Sequence, residues 1–159
     1  MSAPFPLAII RDSLSVWAFP LGCVAFWCVI SFLISRFGWS AAAKQFPAKS
    51  KPEGKTFRAS SILFPNGSHY GACVKVIPTP EGLYLAVEFL FALGCRPMLV
   101  PWEALATISE HKGWFGGRYL KIETAGVDGF TIRLPMSALP QVQPFADAAH
   151  IPCHPLPCI

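Results

Sequence analysis

Acidic side chains are scarce in this chain: 9 Asp and Glu stand against 13 Lys and Arg among 159 residues. General acid–base catalysis needs groups that converge on one reacting atom. Glu81, Glu88 and Glu103 are instead separate acids at turn or strand positions, and they read as surface charges. A phosphate-binding glycine loop is also missing, because Gly113-Trp114-Phe115-Gly116-Gly117 joins two strands and does not open a helix. No internal repeat is visible, so a stacked-repeat architecture is out. Basic charge is not spread over the chain as it is on a nucleic-acid-binding face, and no nucleic-acid partner is expected. With no converging site, neither an enzyme nor a bound cofactor is expected.

Against these absences stands one long apolar run. Ser13 to Ser35 holds 23 residues without a formal charge, between Asp12 and Arg36. As a helix it would reach about 34 Å at about 1.5 Å per residue, enough for a hydrocarbon core of about 30 Å. A helix is the one single segment that can cross there, since it satisfies its own backbone hydrogen bonds. Trp17 at one end, and Phe37 with Trp39 at the other, fit interfacial aromatic belts. The run predicts a single-pass transmembrane helix over 13–36, after a short N-terminal segment 1–12. A cleaved signal peptide is the competing reading, with Ala41-Ala42-Ala43 as the small-residue site. The first ten residues carry no Lys or Arg, and the run exceeds the 7–15 residues of a usual signal core, so the anchor is preferred.

Charge then sets the orientation. Arg36, Lys44, Lys49, Lys51, Lys55 and Arg58 face a single acid, Glu53, a local charge of +5 just past the anchor that leaves the rest of a chain of net charge +4 close to neutral. By the positive-inside rule the N-terminus lies outside and the C-terminal domain in the cytoplasm, at an inner (plasma) membrane. The same residues attract anionic lipid headgroups by about 1 kcal/mol each near the surface. Residues 37–55, rich in Pro, Gly, Ser and Lys, read as a solvated basic linker.

From Thr56 the period changes to short alternating runs separated by turns. Strands are expected at Thr56–Phe64, Tyr70–Ile77, Leu83–Phe91, Met98–Trp102, Ala106–Lys112, Tyr119–Glu123 and Phe130–Leu134. In the third, Leu83, Leu85, Val87 and Phe89 share the inward face, opposite Tyr84, Ala86 and Glu88. Ile108, Leu120, Ile122, Ile132 and Leu134 point inward from the later strands. Met136, Leu139, Val142, Phe145 and Ala149 then step at near-helical spacing, a short closing helix bent by Pro140 and Pro144.

Six cysteines are present. Cys23 and Cys28 lie in the anchor, where they act as small apolar residues, and a cytoplasmic domain keeps the others as thiols. The tail 150–159 gathers His150, Cys153, His154 and Cys158, the only candidate metal ligands. Their spacing matches no zinc finger or ribbon, so a free, Pro-stiffened tail without metal is expected.

Gly82-Leu83-Tyr84-Leu85 in one strand and Pro101-Trp102-Glu103-Ala104-Leu105 after the next give a further clue. With seven strands and one C-terminal helix, they resemble the pleckstrin-homology (PH-like, GRAM-like) superfold. They also resemble small, uncharacterised bacterial single-pass membrane proteins with a PH-like domain. The likeness runs from Thr56 to about Ala149, so a PH-like β domain is expected at 56–149. It implies a bent antiparallel sandwich whose helix plugs one end, and a domain that binds headgroups or proteins, or serves as a scaffold. Phosphoinositide-binding members carry several Lys and Arg in the first hairpin; here Arg58 and Lys75 are the ones present.

These readings converge on a membrane-anchored, non-enzymatic binding or scaffold protein. Contact with lipid, or with an unidentified membrane or cytoplasmic protein, is expected at Trp102, Trp114 and Phe115, besides the basic segment. The alternative is an accessory subunit of a larger integral-membrane complex, with Cys23, Phe26, Trp27 and Ile30 packed on another helix.

Overall fold

The computed structural model describes residues 7–36, 38–113, 116–126 and 129–154; the side chains of 7–17, 34, 35 and 90 lie outside the description. Helix α1 runs over Leu7–Arg36, and a turn at Gly38 leads into α2, Trp39–Gln45. Among the described residues no helix is long and apolar enough to cross a membrane. The described side chains of α1 begin at residue 18, inside the apolar run.

Ten strands follow in order: β1 Phe57–Arg58, β2 Ser61–Leu63, β3 His69–Gly71, β4 Val74–Thr79, β5 Gly82–Val87, β6 Met98–Pro101, β7 Leu105–Lys112, β8 Arg118–Thr124, β9 Thr131–Pro135 and β10 Cys153–His154. They form a four-stranded sheet, β1-β4-β5-β6, and a six-stranded sheet, β10-β7-β8-β9-β2-β3. After α2 the chain is mostly β, with helix α3, Leu139–Ala148, following the ninth strand. Both sheets feed one buried cluster, as in a β-sandwich. Each of the first two expected strands is broken into two. Thr56–Phe64 becomes β1 in one sheet and β2 in the other, and Tyr70–Ile77 becomes β3 and β4, with a turn at Ala72, φ 36°. These two bent runs form the corner that joins the sheets.

The period-2 pattern explains the interior. Ile62, Ile132, Ile122 and Ile108 are register partners in one row across the larger sheet, each at most 3% exposed. In the smaller sheet Val76, Leu85 and Met98 form a similar row with no exposure. Phe89 departs from its expected place. Strand β5 stops at Val87, Phe89 opens a 3₁₀ turn, and its side chain is 90% exposed. In the closing helix the buried line is Ala138, Val142 and Ala146, each fully buried, and Met136, Leu139, Phe145 and Ala149 flank it. The small alanines let α3 approach closely, so the large side chains spread to either side.

Trp39 does not sit in an interfacial belt. It has no exposed surface, packs against Tyr70 at 5.2 Å and Phe64 at 6.2 Å, and donates from Nε1 to the Arg96 carbonyl at 2.7 Å. Ala42 and Ala43 join it in the core, so α2 belongs to the β domain, upstream of Thr56.

The segment after α2 is likewise laid on the domain. Leu99 N donates to Phe46 O at 3.0 Å, and Pro47 bridges Met98, which covers the edge of β6. Farther along, a Cβ on Gly54 would come within 2.8 Å of the Ile77 side chain. Ile77 and Tyr84, register partners on the outer face, are 1% and 6% exposed. Residues 46–55 are therefore a strap across the outer face and not a free linker, and Tyr84 is buried under it. The tail is tied down as well: Ile151 is buried and β10 pairs parallel with β7 through Ile108 and Ser109.

Candidate functional site

The basic residues singled out in the sequence divide among three places. Arg36 closes α1 and lies over the Phe32 ring at 5.5 Å, and Lys44 occupies the last turn of α2. Both line a cavity of about 840 Å³ that Arg96 also lines. Lys49, Lys51 and Lys55 are exposed on the strap, Lys55 with its Nζ 5.5 Å from the Phe57 ring centroid. Arg58 on β1 pairs with Glu88 at 2.5 Å, and Lys75 lies 3.9 Å from the same carboxylate oxygen. That surface pair is worth at most about 1 kcal/mol, but it offsets the charge of both cations toward any anionic surface. The fold thus brings Arg36 and Lys44 together with Arg96, and separates them from the remaining four.

Trp102, expected to be a contact residue, is 3% exposed. Its Nε1 donates to Thr79 O at 2.9 Å and its ring stacks on Phe145 at 5.7 Å, so it locks α3 to the sandwich and offers no contact face. The β7–β8 hairpin turns as expected, with Gly113 N donating to Gly117 O at 2.7 Å. Trp114 and Phe115 at its tip lie outside the described residues.

A different loop carries exposed apolar side chains. Phe89 and Leu93 are 90% and 46% exposed, and between them Phe91 meets Trp27 of α1 at 5.4 Å. The alternating pattern hid this loop, because Phe89 continues the period of β5. Trp27 and Ile30, which the accessory-subunit alternative packs on another helix, line a groove of about 480 Å³ with Tyr70, Cys73 and Phe91 of the same chain.

Tyr70, Cys73 and Cys95 lie together beside this groove. Burial pushes the Cys95 thiol up to about 11, countered by a hydrogen bond with the Tyr70 side chain. Burial also raises Cys73, with Glu88 adding to it, and raises Tyr70 together with the neighbouring Cys95. Both thiols stay protonated near neutral pH, the opposite of an activated nucleophile.

In the tail, Cys153 and His154 are consecutive in β10, so their side chains leave opposite faces. His150 Nδ1 lies 3.1 Å from Ala148 O. Among the described residues no three His, Cys, Asp or Glu side chains gather where they could hold a metal ion; Cys158 lies outside them.

Compared with known protein families the sequence matches none, and no curated protein is similar to it.

Proposed function

We propose that the chain is a single-pass membrane protein whose PH-like domain binds lipid or a protein partner, or serves as a scaffold, without catalysing a reaction. The observation that carries this reading is the surface of α1. Among the described residues twelve large hydrophobic side chains are exposed, and nine of them are on α1: Phe19, Leu21, Val24, Phe26, Trp27, Val29, Ile30, Phe32 and Leu33. At about 100° per residue these positions fall all round the helix, so the contact of Trp27 with Phe91 covers one side only and the other sides call for apolar surroundings. Together with the uncharged run Ser13–Ser35, they favour lipid as those surroundings.

The PH-like reading is supported by seven strand runs, the first two bent across both sheets, and by the closing α3. The excess of basic residues after Ser35 favours the domain on the cytoplasmic side.

Membranes from cells producing the full chain, washed with alkaline carbonate, test the anchor. The chain stays in the pellet, and a variant lacking residues 13–36 is released; release of the full chain contradicts the reading. An impermeant thiol reagent tests the side. Exposed Cys153 is labelled only after lysis, and labelling in intact cells reverses the orientation.

A further inference from the structure

The cavity at the junction of α1, α2 and the loop before β6 has a volume of about 840 Å³ and, among the described residues, no carboxylate in its walls. Arg36, Lys44 and Arg96 line it, with Phe32 and Ser40 beside them. Arg58, Lys75, Arg118 and Lys121 each have a carboxylate partner, whereas none pairs with Arg36, Lys44 or Arg96 among the described residues. The cations are gathered by packing. The buried Trp39 indole holds the Arg96 carbonyl at 2.7 Å, and Ala48 N donates to Pro97 O at 3.4 Å. These bonds fix the 94–97 loop against α2 and the strap, so three like charges that an anion would neutralise line one cavity.

We propose that this cavity binds the phosphate of an anionic phospholipid headgroup. The proposal rests on the membrane-anchored reading for the source of its ligand. Arg36 is the first charge after the apolar run, so the cavity opens at the level where hydrocarbon gives way to headgroups. The guanidinium groups of Arg36 and Arg96 offer forked donors to phosphate oxygens, and Lys44 supplies a point charge. Phe32, one turn before Arg36, gives the apolar wall that a glycerol and upper acyl chain need and a free phosphate does not. The other basic residues act as a diffuse attraction, and this cavity is the specific site.

The full chain in neutral detergent micelles tests this by native mass spectrometry, with phosphatidylglycerol and phosphatidylcholine added at equal mole fraction. A single phosphatidylglycerol is retained in preference to phosphatidylcholine. Lys44→Gln and Arg96→Gln each weaken it about fivefold, and Arg36→Gln/Lys44→Gln/Arg96→Gln abolishes the preference. Arg96→Lys, which keeps the charge and loses the fork, weakens it less than Arg96→Gln, and Lys112→Gln, on the far hairpin, leaves it unchanged. Equal retention of the two lipids overturns the proposal, as does an unaltered preference in the triple variant. So does a loss in Lys112→Gln or Arg96→Lys as large as in Arg96→Gln. Displacement of the lipid by an equal concentration of inorganic phosphate overturns a lipid source. Micelles require no spanning helix, so failure here is separate from failure of membrane retention.

Discussion

Gly82 begins β5 where a Cβ would lie 2.2 Å from the Val100 carbonyl oxygen and 2.8 Å from Pro101 Cα, with φ at 155°. The backbone of β6 cannot give way as a side chain could, so Gly82→Ala is expected to cost about 1–3 kcal/mol or more. Burial orders the neighbours. Leu85→Ala is expected to cost about 2–5 kcal/mol through the cavity it leaves. Tyr84→Ala falls in a similar range, because Tyr84 lies under the strap and is not on an open face. Phe89→Ala changes stability by less than about 0.5 kcal/mol, since its ring is 90% exposed. Thermal melts of the four variants check the order; a large loss in Phe89→Ala would return it to the core.

The buried thiol adds a pH dependence at the same scale. Cys95 titrates near 9.0 when unperturbed and is pushed up to about 11 in the fold, chiefly by burial. The unfolded chain therefore loses this proton first. Its contribution to stability is complete below about pH 9 and is lost as pH rises toward about 11. The melting temperature falls across this window, and Cys95→Ala has a shallower fall. Equal slopes in the two proteins would assign the alkaline loss to other groups.

Among elements, the outcome turns on what local pattern can carry. The strands β5 to β9 were legible because alternation is a local property, and Leu83, Leu85, Leu120, Ile122, Ile132 and Leu134 all lie in the core. The helix α2 and the strap were not. Trp39 reads as an interfacial aromatic beside the apolar run, and 46–55 has the composition of a linker. Their packing depends on Arg96, Met98 and Ile77, partners far along the chain. The candidate site was half legible for the same reason: Arg36 and Lys44 stand in a visible basic cluster, while Arg96 sits alone in a turn. A fragment 38–154 is accordingly expected to melt cooperatively and well above a fragment 56–149, which lacks Trp39, Ala42, Ala43 and Ile151. Removing a buried Trp alone costs about 3–5 kcal/mol, a large share of a small domain's stability. Equal midpoints would mean that α2 is dispensable.

At the scale of the whole molecule, a β domain closed by α3 carries a helix whose large apolar side chains from Phe19 to Leu33 are exposed around its circumference, with Trp27 against Phe91. In the proposed arrangement lipid covers that helix, and the cations around Arg36 hold a headgroup where the apolar run ends. The most direct measurement is the accessibility of a nitroxide placed on Cys23, which is exposed on α1, in the full chain reconstituted into vesicles with the other cysteines replaced by alanine. A position in hydrocarbon gives high collision with oxygen and low collision with a water-soluble nickel chelate. That is the result predicted for Cys23, with nickel accessibility rising at a nitroxide on Cys153. Equal and high nickel accessibility at both positions would place α1 in water and contradict the membrane-anchored account.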